Sequence, residues 1–186
     1  MSTPDLMSKI ISLAKRRGFV FQGSEIYGGI GGIYDLGPLG VELATNIKTA
    51  WWKNIVRERD NIIGLDTSIL MNRKVWETSG HTKSFADPLA ECKNCHSRFR
   101  EDILPKSKNC PICGKNIWTQ SRMFNLMFKT HTGPVEDEAS ETFLRPETAQ
   151  GIFINFKNIV DTMRMKLPFG IAQIGKGFRN EITIGN

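Results

Sequence analysis

The chain lacks the sequence marks of a membrane or secreted protein. None of its 186 residues fall in an apolar run approaching the roughly 20 positions that cross a bilayer. The segment Met1 to Leu6 has no basic stretch leading into an apolar one, as a secretory signal would, so a cytoplasmic location without a membrane partner is expected. Internal repeats and low-complexity tracts are absent. The glycine-rich stretch 23–40 contains neither a Gly-Lys-Ser/Thr phosphate loop nor a dinucleotide-binding fingerprint, which leaves tight turns as its reading. There are only four cysteines, and in a reducing compartment their paired spacing reads as metal ligation rather than disulfide bonding.

What is present has ordinary globular proportions, with 40% apolar and 24% charged residues, enough for one domain carrying an insertion. The net charge of +6 favours an anionic partner without choosing between nucleic acid and nucleotide. Thr3-Pro4-Asp5 is a good helix start, Leu6, Ile10, Leu13 and Ala14 continue at helical spacing, and Gly18 ends the helix before an extended Phe19 to Phe21. Leu39, Leu43, Ile47, Trp51 and Ile55 predict one long amphipathic helix from Leu39 to about Arg59, followed by a strand over 61–71. Trp51 and Trp52 point about a hundred degrees apart on that helix, so one face cannot bury both. They belong either to a monomer core or to a surface shared with a partner subunit. A second helix is predicted over 148–165, with Ile152, Phe156, Ile159, Val160 and Met163 inward, ended by Pro168 and followed by a strand over 169–183. Strands and helices mixed without regular alternation favour an α+β fold.

Cys92-x-x-Cys95 and Cys110-x-x-Cys113 form the strongest motif that stands by itself. Each pair can present two thiolates to one metal from a tight turn, and four thiolates close a tetrahedron around zinc with no position left for water. The site therefore reads as structural. Lys93, Lys106, Lys108 and Lys115 offset the thiolate charge, and His96 reads as a surface residue. Arg179 and Glu181 stand two apart on a run of strand character, so both project from one face. A guanidinium suits phosphate and an ionised carboxylate suits an amino group, so the pair could hold a nucleotide. A solvated cross-strand ion pair is the plainer alternative.

Two segments, Thr142-Phe-Leu-Arg-Pro-Glu-Thr-Ala-Gln-Gly151 and Phe169-Gly-Ile-Ala-Gln-Ile-Gly-Lys-Gly-Phe-Arg-Asn-Glu-Ile182, decide the context. In this order they resemble the catalytic core of class II aminoacyl-tRNA synthetases, and specifically the homodimeric glycyl-tRNA synthetases. Tyr27-Gly-Gly, Tyr34-Asp35, Gly37-Pro-Leu-Gly40, Trp51-Trp52, Ser79-Gly-His81 and Phe124-Asn-Leu-Met-Phe128 match the same pattern. The resemblance implies an antiparallel-sheet core spanning 1–186, with motif 1 at about 37–71 forming a homodimer interface, motif 2 beginning at about 169–186, and a zinc-ribbon insertion at 90–117. It implies glycine, ATP with Mg2+, and glycine tRNA as substrates and partners, and the formation of glycyl adenylate followed by transfer to the tRNA. Arg179, the candidate catalytic residue, would hold the α-phosphate, with Asn180 and Glu181 completing the ATP site. Glu147 would meet the substrate ammonium, and Arg100, in Arg100-Glu-Asp102, would join the glycine site or else face solvent.

Arg145 reads as a second pocket residue or, with slight preference, as the ion-pair partner that orients Glu147. Gln150 and Gln173 are candidate pocket liners. His81 and His131 are expected in structural hydrogen bonds, because a carboxylate that is already ionised needs no general base. The family pattern beyond Asn186 is not present, so the resemblance implies an N-terminal piece without the third motif or the anticodon-binding domain, inactive alone. Ile184 stands where the family has proline. A noncatalytic relative serving as a binding or accessory module, and a zinc-ribbon nucleic-acid adaptor, are the competing readings.

Overall fold

The computed structural model describes residues 6–104 and 109–181, so the expected helix start at Thr3 to Asp5, the Lys106 and Lys108 pair, and the strand end and proline departure beyond Glu181 lie outside the described residues. The chain divides into two compact units, residues 1–63 and 64–186.

In the first unit α1 (Leu6–Arg16) carries Lys15 and Arg16 in its last turn, where cations complement the helix dipole. Gly18 takes φ 71°, and Phe19 N–H closes back on the Ala14 carbonyl, so the chain leaves the helix at the expected glycine. Strands β1 (Val20–Gln22) and β2 (Tyr34–Leu36) pair antiparallel, with Phe21 opposite Asp35. Between them the glycines make turns, with Gly28, Gly29 and Gly32 all at positive φ. Helix α2 (Pro38–Trp52) starts with proline in its first turn and runs on through a π-helical turn, Lys53–Arg57, in which Glu58 N–H reaches the Lys53 carbonyl. The expected long helix is therefore present, with its last turn widened. Gly40 lies where a Cβ would collide with the Phe19 carbonyl, so the helix start sits directly on the backbone that precedes it. Leu39, Leu43, Ile47 and Trp51 are all exposed, and Trp52 is half-buried. β3 (Ile62–Gly64) follows.

The second unit begins where the expected strand over 61–71 breaks: β4 is confined to Leu70–Met71, and the intervening loop is held by Arg145, as described below. Helices α3 (Arg73–Thr78) and α4 (His81–Ser84) follow, α3 capped by the Asn72 side chain on Lys74 N–H. β5 (Ala86–Glu91) is the centre of one three-stranded antiparallel sheet, flanked by β6 (Arg98–Arg100) and β7 (Arg122–Asn125). β9 (Glu141–Leu144) is the centre of another, between β4 and β8 (Lys129–His131). Met71, Trp76, Met127 and Phe143 form the core of this unit, with Val75 and Phe85 against it. Trp76 is fully buried.

Two expectations fail locally. The single helix over 148–165 is two, α5 (Ala149–Ile154) and α6 (Phe156–Met163), parted at Asn155, whose side chain bonds the Gly151 carbonyl. Arg164 at φ 51° ends α6, so Pro168 is not the terminator. Ile159 is buried as expected, but Phe156 and Met163 are exposed, and Phe156 stacks on Phe169 instead. The strand over 169–183 shrinks to β10 (Gly170–Ala172). Beyond it the Lys176 carbonyl and the Phe178 N–H are both bonded to Arg145 instead of to a neighbouring strand, and Gly175 and Gly177 run so close to Arg145 and Pro146 that a Cβ at either would clash. The chain regains antiparallel contact at Arg179, which bridges to Met127. The described architecture is thus α+β, built on small antiparallel sheets.

Candidate functional site

The four cysteines converge in two matching turns. Cys92 N–H bonds the Ser97 carbonyl and His96 N–H returns to the Cys92 carbonyl; Cys110 N–H bonds the Lys115 carbonyl and Gly114 N–H returns to the Cys110 carbonyl. His96 and Gly114, the residues after each second cysteine, both take left-handed conformations, at φ 58° and 72°. Each turn thereby aims its two thiols inward. Sγ separations are 3.5 Å for Cys92 to Cys113 and 3.6 Å for Cys95 to Cys110, and all four sulfurs lie within 4.8 Å of one another. A zinc tetrahedron with bonds of about 2.3 Å has sulfur edges of about 3.8 Å, so the donor set and its spacing fit zinc. Cys92 and Cys110 are buried. Hydrogen bonds from Ser97 hold the Cys95 thiol down at about 6, favouring the thiolate a metal requires. His96 points to Glu91 at 3.1 Å and stays exposed, as expected of a surface residue.

The second constellation is an open cleft of about 510 Å³ lined by Pro146, Glu147, Thr148, Gly175, Gly177, Arg179 and Glu181. Three sequence-selected groups, Glu147, Arg179 and Glu181, therefore share one wall system although they come from distant segments. Arg179 Nε donates to the Pro146 carbonyl at 3.2 Å, and its guanidinium lies over the Phe85 ring at 5.3 Å. Its Nη1 stands 3.8 Å from Glu181, so both side chains do project to one face, as the two-residue spacing predicts. Both remain substantially solvent-accessible. Glu147 Oε1 accepts from Gln150 Nε2 at 2.7 Å and lies 3.4 Å from His81 Nε2.

Arg145 does not orient Glu147. It is buried, and it spends its donors on backbone: Nη1 on the Thr67 carbonyl at 2.6 Å and Nε on the Lys176 carbonyl at 2.9 Å. No hydrogen bond or ion pair joins it to Glu147 among the described residues. The reason is geometric, since the loop over 67–69 and the segment over 175–178 both close onto it, with Phe178 N–H on the Arg145 carbonyl. Gln173 is likewise a tie rather than a liner of this cleft, accepting from Thr67 Oγ1 at 3.0 Å and donating to Asp66 at 3.2 Å. Gln150 is buried and its Oε1 has no partner, while its amide nitrogen serves Glu147.

Arg100 and Asn180 do not line the cleft. Arg100 makes a two-pronged contact with Asp102, at 3.1 and 2.7 Å, and lies 3.4 Å from Asp87. Asp102, with Asp87 and Glu181 contributing, raises its affinity for its proton, so the field of Glu181 reaches it. Asn180 alternates to the other side and borders a separate cavity with Phe124, Met127 and Phe143. His131 meets the Ser140 hydroxyl at 3.2 Å, a structural contact. His81, Ser79, Phe85 and the Pro146 carbonyl are the site groups whose roles the residue pattern does not disclose; Ser79-Gly-His81 stands out in the sequence only as a matching segment.

The described residues thus combine, in an α+β fold, an open cleft carrying one cation and two carboxylates with a four-cysteine cluster whose spacing fits zinc. Comparison with known proteins gives the particular kind. The chain is 59% identical over 181 residues to a glycine–tRNA ligase of Borreliella afzelii, covering 97% of the chain and 41% of that protein. A glycine–tRNA ligase of Treponema denticola is 59% identical over 184 residues, with the same coverage, and one of Alkaliphilus oremlandii is 53% identical over 100% of the chain and 46% of its own length. The chain thus spans about two-fifths of the length of these glycine–tRNA ligases and is similar to them over nearly all of its own. No protein-family model matches it. No helix among the described residues is long and apolar enough to cross a membrane.

Proposed function

We propose that this chain contributes the glycine- and ATP-binding part of a glycine–tRNA ligase, in which glycine and ATP form glycyl adenylate and pyrophosphate before transfer to glycine tRNA. The observation that carries this reading is the convergence of Glu147, Arg179 and Glu181 on one cleft. In such a reaction the amino-acid carboxylate attacks the α-phosphorus, and the protein's task is alignment and charge stabilisation rather than covalent catalysis. Arg179, anchored by the Pro146 carbonyl and Phe85, keeps Nη2 for an α-phosphate oxygen; among the described residues that nitrogen has no hydrogen-bond partner. Glu181 accepts the adenine amino group, which requires it to part from Arg179 when ATP enters. Glu147 faces the ammonium of glycine. Mg2+ would accompany the outer phosphates.

Asn180 and Arg100 enter the reading indirectly: Asn180 N–H ties the motif-2 segment to Leu126 at 2.8 Å, and Arg100 borders the carboxylate field of Glu181. The zinc-ribbon insertion assigned to 90–117 opens within β5 and ends before β7, and zinc held by Cys92, Cys95, Cys110 and Cys113 would brace it without taking part in the chemistry. The exposed apolar face of α2, with Trp51, suits the homodimer interface of motif 1 in the antiparallel class II core. The reaction belongs to the cytoplasm, where tRNA is charged.

Glycine-dependent pyrophosphate exchange is the test, made on the natural translation product that contains this chain. Glu147→Gln keeps the shape and removes the charge, and the expected loss in glycine activation is about 2–5 kcal/mol with ATP binding little changed. Equal losses toward both substrates would remove Glu147 from the glycine site.

A further inference from the structure

We propose that Ser79 and His81 are positioning residues for Glu147, tying up one carboxylate oxygen so that the other is presented to the substrate ammonium. The proposal rests on the glycine-site reading above and deepens it. Ser79 Oγ and His81 Nδ1 are 2.8 Å apart, and His81 Nε2 lies 3.4 Å from Glu147 Oε1. Gln150 donates to the same Oε1 at 2.7 Å. Among the described residues Oε2 has no hydrogen-bond partner.

The proton placement follows from the neighbours. If Nδ1 carried the only ring proton, Nε2 would turn a lone pair toward a carboxylate, a repulsive contact. With the proton on Nε2, the ring donates toward Glu147, and Nδ1 accepts from the Ser79 hydroxyl. That hydroxyl has another acceptor, the Trp76 carbonyl, but at 3.4 Å. The shorter contact to Nδ1 dominates, so Ser79 selects the tautomer that Glu147 needs. The ring itself cannot wander. It stands edge-on to the fully buried Trp76 at 5.5 Å and 5.0 Å from Phe85, the same ring that underlies Arg179. One aromatic side chain thus holds the cation of the cleft on one side and the group that aims its carboxylate on another. At 3.4 Å the approach is a charge-pair distance rather than a formed hydrogen bond, and the proposal requires it to close into one when the ammonium draws Glu147 into register.

The test uses the natural translation product containing this chain, with His81→Phe, His81→Gln and Ser79→Ala. Phenylalanine keeps the stacking and loses the donor; glutamine restores an N–H near the Nε2 position. Expected in pyrophosphate exchange are a rise of tenfold or more in the glycine KM for His81→Phe with the ATP KM within twofold, recovery to within threefold for His81→Gln, and a smaller rise for Ser79→Ala. An unchanged glycine KM in His81→Phe, equal effects on both substrates, or His81→Gln no better than His81→Phe would overturn the proposal. Long-range 15N–1H spectra of the protein give a readout independent of activity. A His81 ring protonated on Nε2 is expected, and one with Nε2 bare would overturn the proposal. Absence of glycine-dependent exchange in the parent protein would count against the functional reading, and the ring spectrum would still decide the geometry.

Discussion

Replacing Arg145 with methionine should loosen the second unit more than any change on the walls of the cleft. The side chain is 2% exposed, yet no carboxylate balances it among the described residues. Two backbone carbonyls do so instead, those of Thr67 at 2.6 Å and Lys176 at 2.9 Å, with Thr67 Oγ1 at 3.1 Å. Methionine fills much of the volume but leaves both carbonyls without their donor, at about 1–3 kcal/mol each. Removing a buried charge returns part of this, because the guanidinium no longer has to be kept out of water. A net loss of about 3 kcal/mol is expected, a large fraction of the roughly 5–15 kcal/mol typical of a domain. At an m-value of about 2 kcal/mol/M, the urea midpoint falls by about 1.5 M. Arg145→Lys keeps the charge without the planar fork and should lie between the two. Urea denaturation of the second unit is the assay, with amide exchange at Phe178, whose N–H bonds the Arg145 carbonyl, as the local reporter. A midpoint shift under about 0.5 M for Arg145→Met, with Phe178 still protected, would refute the idea that this arginine staples the floor of the cleft.

Metal analysis should find one zinc per chain, and Cys110→Ala should abolish stoichiometric zinc, because its buried thiol completes the four-sulfur shell; a parent protein with almost no zinc after reconstitution under reducing conditions would contradict the site. Lys129, assisted by Arg73, holds the Glu141 carboxyl below its ordinary value of 4.5. A depressed carboxylate contributes stability that is present above that ordinary value and is lost as pH falls through the lower folded one. The stability gap between the parent protein and Glu141→Gln should therefore be full near neutrality and close as pH falls below the ordinary 4.5 and through the lower folded value. A gap that stays constant across that acid range would show that the ion pairs of Glu141 are not its source.

Features set by short-range spacing are legible in the sequence. Two Cys-x-x-Cys turns carry their geometry within about five residues, and the left-handed positions that close them depend on neighbours along the chain. Arg179 and Glu181 share a face because side chains alternate along extended chain, whether or not a regular strand surrounds them. The helix from Pro38 is likewise written in its own periodicity, and the relatives that the chain is similar to are glycine–tRNA ligases, as the two C-terminal segments suggest. The partners of Glu147 are not legible in this way. Arg145 is two residues away and by spacing is the natural counter-ion, but the chain turns so that the arginine faces backbone and His81, far upstream, faces the carboxylate. Nor can spacing show that the strand after Phe169 stops at Ala172, because the backbone groups that follow, the Lys176 carbonyl and the Phe178 N–H, are taken by Arg145. Local pattern determines which groups an element presents. Which of them meet is decided by close packing between distant segments, where a single Cβ or an unsatisfied carbonyl outweighs the preference of any one stretch of chain.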